Sequence, residues 1–292
     1  MGLLCLSGLR KFVARAHGGP LLSKGNVMNI ESNPVVTLSD RLERLNAYDV
    51  APKDIVVASR AMTINIGDVE QPDRASIVGD GILSFVSGMS EQNKTDIQHT
   101  YLFASLVANK KYPRDDQGKE WYQYFLQVMQ DSGWTILQKY YDTVAASGKS
   151  FKMDQLALKV LGSAVAAAAV PGPASALMLK VAGDALAALQ ASDKPLQLFD
   201  QNIRESGTGG FGVATCNESQ HGEVIMALGT VRFIKRTNQT KVLFVDWDSS
   251  SVDLYKGECH MTMVPSIIER TRATIIAKLG DRAQTKIDEY EI

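Results

Sequence analysis

The sequence predicts an α+β protein in which an N-terminal to central helical bundle precedes a mainly β module with a terminal helix. Three patterns support this class. Residues 55–67 alternate apolar and polar side chains, which is typical of a strand. Apolar residues recur at helical spacing over 76–205, whereas a period of two returns over 206–292. We therefore expect these two ranges to hold the bundle and the β module.

The composition is that of an ordinary globular protein. The 292 residues, 45% hydrophobic and 22% charged, suffice for one large domain or two ordinary ones. A net charge of −1, without a stripe of basic and aromatic residues, argues against a nucleic-acid partner. Cys5, Cys216 and Cys259 are too few for a disulfide framework, although Cys216 and Cys259 could form one bridge or remain reduced.

The first 30 residues form a basic leader. They carry Arg10, Lys11, Arg15 and Lys24 and no acidic residue. Polar interruptions make the segment unlike the core of a signal peptide. We expect it to be disordered, with an organelle address or attachment to an anionic membrane as alternatives.

Residues 31–75 are expected to contribute a lead-in helix and a strand. Ser39 or Asp40 can cap a short helix that continues to Tyr48. Because a strand without a neighbour is not stable, we expect the strand at 55–67 to pair with the C-terminal sheet.

The range 76–205 predicts six or seven helices joined by short connections, which is the pattern of a bundle. They are a short apolar helix at 82–86, a helix from Ser90 to Lys111, a helix opened by Pro113, a helix over 135–147, two helices joined at Pro171–Pro173, and one over 195–205.

The stretch Val160–Leu179 holds no charged residue and lies between Lys159 and Lys180. A helix that is apolar all round belongs in a protein interior or in a membrane. The length is near the ~20 residues of a membrane span, but seven residues are Ala and two are Pro, which disfavours a permanent span. We interpret the stretch as a helical hairpin, either a core element or one stored for release into a bilayer.

The range 206–292 is expected to form a β-sandwich-like module. Strands are predicted at 211–216, 223–235, 241–246 and 252–263. Pro265 can open a final helix and Gly280 can end it, and the acidic residues 285–292 are expected to be exposed.

No pattern in the sequence predicts catalysis or cofactor binding. The segment Gly207–Gly212 fits G-x-G-x-x-G, but a helix precedes it and a strand follows, the reverse of the dinucleotide-binding order. We therefore interpret it as an interdomain linker. No G-x-S-x-G or H-E-x-x-H motif occurs. We expect a protein that is not an enzyme, with no catalytic residue and no cofactor.

Four residues are the only soft metal ligands that could cluster. Zinc accepts such a set, but two of them are adjacent on a predicted strand and so point to opposite faces. We therefore expect no metal site. The four are Cys216, His221, Cys259 and His260.

The hairpin favours a membrane-active, toxin-like or effector-like function, in which a pore forms when the hairpin leaves a soluble bundle. The implied partners are a lipid membrane, under conditions that trigger release, and further copies of the chain. Phe244, Trp247 and Tyr255 are the aromatic candidates for contact with a partner or surface. The predicted membrane-inserting residues are Val160, Leu161, Val165, Val170, Pro171, Pro173, Leu177 and Leu179.

Three alternatives remain open at this stage. They are a non-catalytic interaction or assembly protein whose hairpin is only core, an enzyme with a site of dispersed residues, and an organelle-targeted protein. We expect a soluble chain that is secreted or delivered to a target membrane. We also expect Ala167 to lie in the interior, so that Ala167→Asp would destabilise the fold as well as block insertion.

Overall fold

The computed structural model describes residues 36–50, 73–145, 148–168, 173–236 and 240–292. The basic leader and the strand predicted at 55–67 lie outside these ranges.

The described residues form eight α-helices and nine strands. The helices are α1 Leu38–Ala47, α2 Glu91–Lys111, α3 Gly118–Ser132, α4 Met153–Ala167, α5 Ala174–Gln190, α6 Asp193–Ser206, α7 Pro265–Leu279 and α8 Arg282–Lys286. The strands are β1 Arg74–Val78, β2 Gly81–Phe85, β3 Trp134–Val144, β4 Ser150–Lys152, β5 Gly210–Glu218, β6 Val224–Lys235, β7 Asp246–Asp248, β8 Val252–Met263 and β9 Ile287–Glu291.

Seven strands form one mixed sheet in the order β3-β8-β6-β5-β2-β1-β9, and β4 pairs with β7 in a second small sheet. Only the pair β2–β5 is parallel among the paired strands of the large sheet. The predicted α+β class is confirmed. Strands from both halves of the chain share the large sheet, and the described residues do not form the predicted β-sandwich.

Helices cover both faces of the sheet, and each face has its own core. Side chains of α1, α2, α3 and α7 pack with Met226 and Leu228 on one face. Side chains of α4, α5 and α6 pack with Ala227 and Val231 on the other, which we call the hairpin face. This alternation along β6 follows from the two-residue period of a strand.

Two segments predicted to be helical are strands. Residues 82–85 fall in β2, which is buried along its whole length, and Val86 follows the strand. A short buried apolar run fits a core strand as well as a helix, so its periodicity could not distinguish them. The sequence predicts a helix over 135–147, but residues 135–144 belong to β3, which pairs with β8. The β-branched and aromatic content of β3 suits a strand.

Other local predictions also differ from the structure. Thr37, rather than Ser39 or Asp40, caps α1, and Asp40 completes a capping box. The segment 241–246 is not a strand except at Asp246. The acidic C-terminal residues form β9 beside β1 instead of lying fully exposed, with the Tyr290 side chain buried.

Two helix boundaries are confirmed. The Ser90 side chain accepts a hydrogen bond from the backbone N–H of Asn93 and caps α2. Pro265 opens α7 and Gly280 follows its last residue.

Candidate functional site

Helices α4 and α5 form a hairpin on one face of the large sheet. Helix α4 packs mainly on β6 and β8, while α5 packs on β5 and β2. Each helix buries one stripe of small or branched side chains and exposes the opposite side. The buried residues are Met153, Ala157, Val160, Leu161, Ala164, Val165, Met178, Val181, Ala182, Ala185, Leu186 and Leu189.

Helix α4 packs very close to the sheet because β6 has a glycine, Gly229, at the point of contact. A Cβ atom added to Gly229 would lie 2.8 Å from the backbone nitrogen and 3.0 Å from the Cα atom of Leu161. Real Cβ atoms do not approach a backbone that closely, so any larger residue must move the helix. Strand β6 continues through Gly229 without interruption. The glycine therefore allows the close packing of α4 and does not mark a bend in the strand.

The residues predicted to insert into a membrane fall into two groups. Side chains of Val160, Leu161 and Val165 are at most 3% exposed and pack against the sheet. Further along the hairpin, Leu177 is 38% exposed, Pro173 is exposed and Leu179 is half-buried. The other two predicted residues, Val170 and Pro171, lie outside the described residues.

The exposed end of the hairpin is uncharged and, apart from Ser175, apolar. We call the described residues 166–168 and 173–177 the hairpin tip. Ala166, Ala167 and Ala176 are exposed, and none of the tip residues is charged. At ~1.5 Å per residue, Ala167 lies ~12 Å along the helix from Lys159. Its exposure corrects the expectation that Ala167 lies in the interior.

The base of the hairpin is tied to the loop before β7. The backbone N–H of Phe244 donates to Asp154 Oδ1 at 3.1 Å, and β4 leads directly into α4 while pairing with β7. Phe244 has φ of 61°, a left-handed conformation that a bulky residue adopts only at an energetic cost. The backbone bends at this residue, within the segment 241–246 that the sequence predicts to be a strand.

The three aromatic residues predicted to contact a partner are placed in different environments. Trp247 is 2% exposed and donates its indole N–H to the Val242 carbonyl at 3.0 Å. Phe244 packs, partly buried, against the same core. Tyr255 stacks on Tyr141, with ring centroids 6.2 Å apart, on the opposite face of the sheet.

A buried polar cluster lies under the helices of that opposite face. Arg232 is 1% exposed, and its guanidinium carbon sits 3.3 Å from the centroid of the Trp121 ring. Its Nη1 donates to Thr208 Oγ1 at 2.9 Å. Burial raises the pKa of Asp80, while the positive charge of Arg232 opposes that shift. Ser105 Oγ donates to Asp80 Oδ1 at 2.5 Å. The cluster stabilises a charge in the core, and no sequence pattern marked it.

The glycine-rich segment belongs to this cluster and is not a linker between domains. Gly207 follows α6 in the left-handed conformation, and β5 starts at Gly210 in the middle of the sheet order. A Cβ atom at Gly210 would collide with the Arg232 side chain, and one at Gly212 with Tyr101. These glycines therefore make room for large buried side chains.

Among the described residues, no three His, Cys, Asp or Glu side chains are close enough to hold a metal ion together. Cys216 and Cys259 are free thiols in the core. Burial raises the pKa of both thiols, for Cys259 to about 12.

Among the residues that the structure describes, no single helix is both long enough and apolar enough to cross a membrane. One bent pair, α5 with α6, meets those criteria jointly and is bent by 96°.

Comparisons with known proteins give little. No family model matches the sequence, and no curated protein matches it. One weak structural neighbour is the Evf virulence factor, at 13% identity, covering 71% of this chain and 81% of that chain with a TM-score of 0.26. Likeness at this level supports no statement about shared activity.

Proposed function

We propose that this chain is a membrane-active effector that forms a pore when the α4–α5 hairpin leaves the sheet and enters a bilayer. The observation that carries the proposal is the exposed, uncharged tip of a hairpin in the outer layer of the protein. Gln155, Lys159 and Ser163 are exposed on the outer side of α4, so the helix has no layer above it there. Its action requires no catalytic group.

The energetics of release favour a membrane over water. The buried stripes of α4 and α5 would lose their apolar contacts with the sheet but regain an apolar environment among lipid chains. The sheet face left behind would expose Phe211, Val213, Ala227 and Val231. An apolar patch of this kind promotes association, so the released form is expected to self-associate.

Acidification is the expected trigger. His260 lies on β8 next to Cys259, so its side chain is on the hairpin face, and burial lowers its pKa below the usual 6.5. Unfolded or opened forms therefore bind more protons than the closed form below pH ~6.5. The free energy that holds the hairpin closed should fall as the pH falls through that range.

Dye release from anionic vesicles at pH 7.5 and pH 5.5 tests the proposal. We expect little release at pH 7.5 and clear release at pH 5.5, and the wild-type acid dependence should weaken in His260→Gln. A wild-type protein that stays folded by circular dichroism and releases no dye at either pH would exclude pore formation. That result would favour a non-catalytic assembly protein, for which the buried stripes of α4 and α5 are the supporting observation.

A further inference from the structure

A groove runs along one side of α4, between the helix and the β3–β8 edge of the sheet. Its volume is ≈ 410 Å³, within the ~300–1,000 Å³ typical of ligand sites. Its apolar wall is formed by Val144, Phe151, Leu156 and Val160, while Gln155 and Ser163 are among its polar lining.

The groove carries an excess of positive charge. Lys152, Lys159 and Lys256 line it together with a single acid, Glu258. Lys256 Nζ and Glu258 Oε1 are 2.5 Å apart and neutralise each other. Lys152 and Lys159 form no ion pair with any residue that the structure describes. The lining therefore has two more lysines than acids beside an apolar wall, and Asp246, which is outside the lining, lies opposite Lys152 across the β4–β7 pair.

The groove leads toward the hairpin tip. The α4 residues that line it, from Gln155 to Ser163, recur at helical spacing and so lie on one side of the helix. Lys159 is ~12 Å along the helix axis from Ala167 at the tip. Segments that lie in a membrane interface bury apolar side chains ~5–10 Å into the boundary of headgroups and acyl chains. A tip inserted to that depth places Lys159 at the level of the lipid phosphates.

We propose that this groove binds the phosphate headgroup of an anionic phospholipid. The ammonium groups of Lys152 and Lys159 contact the phosphodiester, since Lys binds phosphate as a point charge. The wall of Phe151 and Leu156 accepts the glycerol ester and the first methylenes. This inference rests on the proposed function and deepens it, because it names the lipid class that holds the hairpin tip at the bilayer surface before release.

The test is binding of the full chain, at pH 7.5, to vesicles of phosphatidylcholine alone and of phosphatidylcholine with phosphatidylglycerol. The double variant Lys152→Gln/Lys159→Gln should bind the anionic vesicles at least about tenfold more weakly, because it loses two charges that attract an anionic surface. The matched control is Lys111→Gln/Lys119→Gln, which removes the same charge from two exposed residues of α2 and α3 and should change binding less than about twofold. All variants keep the basic leader, so any contribution of the leader to vesicle binding is the same in each and cancels when the variants are compared.

Three results would overturn the inference. One is unchanged binding of the groove variant, and another is an equal loss in the control, which would indicate general surface charge. The third is inorganic phosphate or glycerol 3-phosphate binding the wild type as tightly as the lipid, which would indicate a site for free phosphate. Lysine-dependent binding without dye release at any pH would keep the headgroup site and reject the pore.

Discussion

Ala167→Asp is expected to lower dye release at pH 5.5 at least about tenfold and to leave the folded protein intact. Ala167 is exposed at the hairpin tip, so the carboxylate stays in water in the closed form. Its cost there is about 0.3–1 kcal/mol, because it adds a negative charge at the C-terminal end of α4. In the bilayer the same charge costs ~2.5–3.5 kcal/mol or more at the centre of a span. Release should fall at least tenfold, with the urea midpoint nearly unchanged.

Two control variants separate insertion from folding. Ala187→Asp places the same charge on an exposed alanine in the last turn of α5, away from the tip. It should therefore change the stability of the closed form by about as much as Ala167→Asp does. It should lower release less than the tip variant does. Ala164→Asp buries the charge, because Ala164 is 1% exposed, and should destabilise the fold by several kcal/mol. A folded Ala167→Asp protein that releases dye like the wild type would show that the tip does not enter the membrane.

Gly229→Ala is expected to loosen α4 and to raise the pH at which dye release begins. The added methyl group would meet the backbone of Leu161, which cannot rotate away as a side chain can. Overpacking of this kind costs about 1–3 kcal/mol. The loss should appear in urea unfolding and in faster amide exchange along α4.

Gly183→Ala is the matched control for this substitution. It adds the same methyl group to α5, where nothing lies within 4 Å of the new atom. Because alanine is a better helix former than glycine, this variant should gain about 1 kcal/mol at most. If Gly229→Ala were as stable as the wild type and released dye at the same pH, the close contact between α4 and β6 would not control release.

The sequence predicts the hairpin well because its signal is local. An uncharged run bounded by Lys159 and Lys180 identifies two apolar helices, and the prolines mark their connection. The run could not show which side of each helix faces the sheet. Alanine occupies both the buried stripe and the exposed tip, so Ala164 and Ala167 look equivalent in the sequence.

The strands β2 and β3 were missed because their partners are far away in the chain. Residues 82–85 pair with 213–216, and β3 pairs with β8 more than a hundred residues later. Strand pairing depends on such distant neighbours, whereas helical spacing can arise by chance in a short apolar run.

Buried charge and the groove also depend on distant residues. Nothing around Arg232 in the sequence predicts that Trp121 and Thr208 will enclose it. One signal was available, since three glycines within 207–210 allow close approach of a large side chain. Lys152 and Lys159 look like ordinary surface residues until α4 is placed beside β8.

The central claim is that the hairpin moves from the sheet into the bilayer, and depth-dependent quenching tests it most directly. An environment-sensitive fluorophore on Ala167→Cys, in a Cys5→Ser background that leaves only the buried thiols Cys216 and Cys259, reports the tip. A second label on Ser163→Cys reports the middle of α4. At pH 5.5 we predict quenching of both labels by doxyl groups within the acyl chains, and at pH 7.5 of neither or of the tip alone. Labels that stay inaccessible to lipid quenchers at pH 5.5, while vesicles bind the protein, would contradict the account.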